Sequence, residues 1–153
     1  MLRGALSMAV FLAAIGTIAC SGDGGGSTRS AGDERFTRTA SAGGIDIQVR
    51  WLASDDELGD ELAEYPLAGF ALFEVSLDTH SGDLRSIDMV DAARFAVGGT
   101  FQEPEAWVSE SDDTHHRSGV LVFTWDGVTG PAALSLDLGS ESFEFGWDEA
   151  PDQ

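Results

Sequence analysis

In "IDIQVRWL", residues 45–52, Ile45, Ile47, Val49 and Trp51 alternate with Asp46, Gln48 and Arg50. Apolar side chains at every second position share a face only on an extended backbone, where successive side chains point to opposite sides. A helix would scatter them around its circumference. The same alternation returns in "AALSLDL", with Leu134, Leu136 and Leu138, and in "SFEFGW", with Phe143, Phe145 and Trp147. Two longer runs are apolar on both faces, which marks central strands. One is "AGFALFEVSLDT". The other is "GVLVFTW", with Leu121, Phe123 and Trp125 on one face and Val120 and Val122 on the other. "LRSIDMV", "ARFAV" and "EAWVS" read as shorter strands. "HSGD", the Gly98–Gly99 pair and "DGVTGP" read as turns, with Gly82 free to take positive φ. "DDELGDELAEYPL", interrupted by Gly59 and Pro66, reads as a solvated loop holding one helical turn at most. The sum is seven or eight strands with no sustained helical period and no long repeat. The expected architecture is all-β: an antiparallel immunoglobulin-like sandwich over residues 44–148, followed by an acidic tail at 149–153. A small barrel is the alternative.

The charge balance narrows the partners. The chain carries 27 acids and 8 bases, a formal charge of −19, and every base is arginine. Such a surface repels phosphates, so nucleic acid is excluded as a partner, and anionic membrane surfaces are disfavoured. It keeps a monomeric domain soluble.

Residues 1–20, "MLRGALSMAVFLAAIGTIAC", have the layout of an export signal: Arg3, then an apolar stretch too short for a comfortable membrane span, then small residues. The close, "TIAC", resembles the lipobox of bacterial and archaeal lipoproteins, with Thr17 where leucine is usual. That resemblance implies cleavage after residue 19 and a diacylglycerol on Cys20, the only cysteine of the chain. An ordinary secretory signal cut nearby is the other reading. Residues 20–43 are rich in glycine, serine and threonine, carry one large apolar residue, Phe36, and read as a flexible tether. The expected location is the cell envelope, on the extracytoplasmic face of a membrane that the chain reaches through its lipid.

Four stretches, "THSGDL" (79–84), Trp107, "HHRSGVLVF" (115–123) and "FEFGW" (143–147), resemble a group of bacterial exported or lipid-anchored β-domain proteins. Their pattern is T-H-S-x-D-L, then W, then H-H-R-S-G-x-L-x-F, then F-x-W. The group is uncharacterised, so the resemblance implies a shared fold and a shared site around the histidines and lends no activity. Here "ESDDT" precedes the paired histidines, where the group often has small residues.

The three histidines are the candidate site. His80 follows one central strand; His115 and His116 precede the other. If those strands are antiparallel neighbours, all three fall at one edge of the sheet, where His80 and one of the pair, with Asp83 or Asp113, suit copper, zinc or nickel. Equally, the histidines can serve the loops as hydrogen-bonding groups, with Arg117 pairing to Asp112 or Asp83, or they can meet another ligand. Ser81 and Ser118 neighbour histidines but lack a nucleophile elbow, so no enzyme is expected. Asp55, Asp56 and Glu57, or Asp112 and Asp113, form no calcium loop of known spacing. Trp51, Trp125 and Trp147 fall at inward positions; Trp107 alone has a chance of lying exposed as a carbohydrate platform. The expected function is a non-catalytic binding or accessory module, with a metal-binding lipoprotein using His80 and His115 or His116 as the alternative.

Overall fold

The computed structural model describes residues 31–151, with side chains from residue 34. Nine strands fall into two antiparallel sheets. A short helix, α1 (Ala31–Phe36), leads into β1 (Thr37–Ala42) and β2 (Ile45–Trp51). Then come β3 (Phe70–Thr79), α2 (Met89–Ala92), β4 (Ala93–Val97) and β5 (Thr100–Gln102). The chain continues through β6 (Ala106–Asp112), β7 (His116–Thr124), β8 (Ala132–Asp137) and β9 (Ser142–Trp147).

The first sheet runs β1-β2-β3-β7-β6 and the second β5-β4-β8-β9. With β1 set aside as an extra edge strand, β2-β3-β7-β6 and β5-β4-β8-β9 follow the A-B-E-D and C′-C-F-G orders of the immunoglobulin fold. The expected sandwich is therefore present, and the barrel is not. β3 and β7 each have neighbours on both sides, as their two-faced apolar patterns required.

Between the sheets lies an aromatic core. Trp51 is 1% exposed and touches four rings: Phe73, Phe95, Trp125 and Trp147, at centroid separations of 4.9, 5.4, 5.7 and 5.5 Å. Leu134, Leu136, Leu138, Phe143 and Phe145 line the opposing sheet, all buried as their alternation predicted.

Three segments depart from the sequence reading. "LRSIDMV" is no strand; it forms a 3-10 turn at Leu84–Ser86 and then α2. Asp83 and Asp88 accept backbone N–H bonds at the starts of these two turns, and such caps favour helical over extended backbone. The acidic loop is not merely solvated. It makes 3-10 turns at Asp55–Glu57, Asp60–Leu62 and Leu67–Gly69. Leu52, Leu62 and Leu67 close over Leu72, Val120 and Val122 on the outer face of the first sheet, a second small core. Finally, within the stretch expected to be a flexible tether to residue 43, residues 31–42 form α1 and β1. β1 brings only Ala40 and Ala42 to the core and pairs along β2, from Thr37 opposite Arg50 to Ala42 opposite Ile45. Phe36 is buried in the main core, and its carbonyl accepts from Trp147 Nε1 at 3.1 Å. Arg38 Nε donates to Gly146 O at 3.0 Å, so this N-terminal strap bridges the two sheets. In the expected acidic tail, Glu149 pairs with Arg35 at 2.6 Å and Pro151 is buried. Cys20 and the export signal lie outside the described residues.

Candidate functional site

The histidines do share one edge. β3 and β7 are antiparallel neighbours, Asp78 stands opposite His116, and Thr79 N donates to His115 O at 2.9 Å. Thr79 is the buried polar anchor of the edge. Its hydroxyl lies 3.0 Å from Gly44 O and 2.7 Å from Ser81 O, joining the β1–β2 turn to the end of β3. Gly82, at φ 93°, then turns the chain into a backbone region costly for any side chain.

Around that anchor three of the four expected ligands have partners of their own. His116 Nδ1 pairs with Asp78 Oδ1, its partner across the strands. Asp83 turns toward Arg85, accepting from its backbone N at 3.0 Å and its Nε at 3.2 Å. His115 N is held by Asp113 Oδ1 at 3.0 Å, while its ring stays exposed near Thr114. His80 projects from the turn, also exposed. Among the described residues no three His, Cys, Asp or Glu side chains converge on a common point. His115 lies in the bend before β7 and His116 opens the strand, where the cross-strand carboxylate of Asp78 takes its imidazole.

The other candidates also have structural places. Glu57 pairs with Arg50, and Asp55 Oδ1 accepts from Leu67 N at 3.4 Å, so the 55–57 acids hold their own loop. Ser118 Oγ lies 3.4 Å from Glu110 Oε2, and among the described residues neither Ser81 nor Ser118 meets an imidazole. Trp107 is half-buried rather than displayed as a platform.

Arg117 does the most at this edge, and only part of its role was readable. Its Nε sits 3.1 Å from Asp112 Oδ1, near enough for charge pairing though not aligned as a hydrogen bond. Its Nη1 donates to Leu84 O at 3.0 Å and Ile87 O at 2.6 Å, and the guanidinium lies 5.6 Å from the Trp107 ring centroid. It thereby clamps the connection between the sheets onto the β6–β7 hairpin. With a side chain only 10% exposed, it is poorly replaced. Arg117→Met should lower stability by roughly 2–3 kcal/mol, because two charge-assisted bonds go and carbonyls stay shielded. Arg117→Lys should recover less than half of that, since an ammonium lacks the planar fork. Denaturant midpoints of the three proteins decide it.

Two carboxyls of this edge are held below their ordinary value of 3.8. For Asp83 the main cause is the Arg85 side-chain bond, then the Arg85 backbone N–H. For Asp113 it is the backbone N–H of His115. A depressed carboxyl stabilises the fold above its unfolded pKa and loses that contribution as pH falls through its folded value. The deficit of Asp83→Ala/Asp113→Ala relative to wild type should thus be full at pH 6 and shrink below about pH 4. A deficit unchanged at pH 2.5 in urea melts would contradict this.

Compared with models of protein families, with curated proteins and with solved structures, the chain matches none. Among the described residues no helix is long and apolar enough to cross a membrane.

Proposed function

We propose that the chain is a lipid-anchored lipoprotein domain of the extracytoplasmic cell envelope, acting without catalysis as a binding or accessory module. The observation that supports it most is the strap at the N-terminal side of the sandwich. The described strap starts at Ala31, and in the sequence ten residues, 21–30, separate it from Cys20. Fully extended, that stretch reaches at most about 40 Å, a short leash for a domain of this kind. The histidine edge supports the non-catalytic part: Asp83 caps the 84–86 turn, Asp113 holds the backbone N of His115, and Arg117 clamps the connection between the sheets.

The test is expression of the full chain in a bacterium that processes lipoproteins, with intact-mass analysis and membrane fractionation. The mature protein should begin at Cys20, carry diacylglycerol and sediment with membranes. Cys20→Ser should be neither lipidated nor membrane-bound. A mature protein that keeps residues 1–19, or membrane binding indifferent to Cys20, would overturn the reading.

A further inference from the structure

We propose that one end of the sandwich, marked by Phe101 and Val128, is a bilayer-docking surface for zwitterionic lipid; this rests on the reading of Cys20 as lipidated. The strand directions define that end. Thr37 opens β1 opposite Arg50, β2 ends at Trp51, and Phe70 opens β3 opposite Thr124, the last residue of β7. In the other sheet Ala132 opens β8 opposite Val97 and Trp147. The strap, the 98–99 turn, the 125–131 loop and the C-terminal segment all gather there. The histidine edge is at the other end.

Only two large apolar side chains among the described residues are exposed: Phe101 at 77% and Val128 at 41%. Both belong to this end, and they come from segments that abut. A Cβ on Gly98 would stand 3.2 Å from Val128 Cγ1. Gly98 and Gly99 have φ of 57° and 84°, the two positive angles of a two-residue hairpin turn, which holds Phe101 out rigidly. Phe101, opposite Ala96 on β4, faces outward from a short edge strand. A cleft of about 580 Å³ lined in part by Ala53, Leu67, Trp125 and Pro151 continues the same end.

The occupant follows from where the chain goes. The described residues begin at this end, and ten residues separate them from Cys20. A lipid on Cys20 would bring this end, not the histidine end, to the headgroups. One exposed aromatic and one valine bind lipid weakly alone, but the anchor supplies a high local concentration, so a weak contact suffices to orient the domain. Asp55, Asp126 and Asp148 lie at this end beside Arg35 and Arg38, a net negative rim. That rim restricts the partner to neutral headgroups.

The experiment uses the full chain, lipidated in its bacterial host and placed in phosphatidylcholine vesicles with brominated acyl chains. A fluorophore is attached at Val128→Cys or, at the far end, at Ser81→Cys, with Cys20 blocked by its lipid. The Val128→Cys label should be quenched at least threefold more than the Ser81→Cys label. Phe101→Ser should remove most of that difference while leaving the melting temperature within about 2 °C, as expected for an exposed site. Protein that floats with the vesicles while both labels stay equally unquenched overturns docking and leaves the anchor standing; this end would then await a protein partner. Protein that carries no lipid and does not float removes the anchor, and docking falls with it.

Discussion

Replacing Trp51 with alanine should cost the domain roughly 4 kcal/mol, in the range for large aromatic truncations in a packed core. For a domain of this size that is a fall of about 15 °C in melting temperature. The effect is large because Trp51 joins the two sheets. Its ring meets Phe73 in its own sheet, Phe95 and Trp147 across the core, and Trp125 at the sandwich end. No neighbour can swing into the space without abandoning another ring. Trp51→Phe should behave differently. The indole Nε1 is buried without an acceptor among the described residues, and its removal relieves an unpaired donor while keeping most of the ring. The loss should stay below about 1.5 kcal/mol. Thermal melts of both variants decide the matter. Equal losses would mean that volume alone governs this site.

Gly119→Ala should be nearly as damaging, at roughly 3 kcal/mol. Gly119 lies in β7 with β3 on one side and β6 on the other, at the register shift between Ser109 and Ser111. A Cβ there would fall 2.4 Å from Val108 O and 2.7 Å from Trp107 Cζ2. The ring can move; the carbonyl cannot move without breaking the strand pairing. Adding Trp107→Ala should accordingly fail to rescue Gly119→Ala, and the double variant should be no more stable than the single one. A rescue beyond about 1 kcal/mol in a double-mutant cycle would place the clash on the ring instead. The glycine and the tryptophan therefore interlock across β6 and β7.

How much of this was legible in the sequence depended on which residues carried their own burial. Ile47, Val49 and Trp51 alternate with polar partners, and so do the leucines of β8; strands of that kind announce themselves. β1 could not. Its order comes from hydrogen bonds to β2 and from Phe36 behind it, both non-local, and a Gly/Ser/Thr-rich composition gives no sign of either. Residues 84–92 misled because Leu84 and Met89 are buried whether the chain is extended or turned. The clue lay in Asp83 and Asp88, each placed to cap a turn. The second small core had a clue as well. Leu72, Val120 and Val122 sit on the outer face of a sheet, and a sandwich has no use for them unless something covers them. The candidate site was half legible. Antiparallel β3 and β7 bring the histidines to one edge, as inferred, but the preference of His116 for Asp78 and of Asp83 for Arg85 is a matter of side-chain reach that spacing does not encode.

The strap also bears on how the domain would respond to force. Its hydrogen bonds to β2 lie perpendicular to the strands, so a pull directed along β1 would load all six paired positions together rather than peel them one by one. Shear of this kind resists rupture far better than unzipping, and Arg38 on Gly146 O adds a rivet to the neighbouring sheet. A tug on the N-terminal side therefore meets Phe36, seated in the core, and then the six-position ladder of β1.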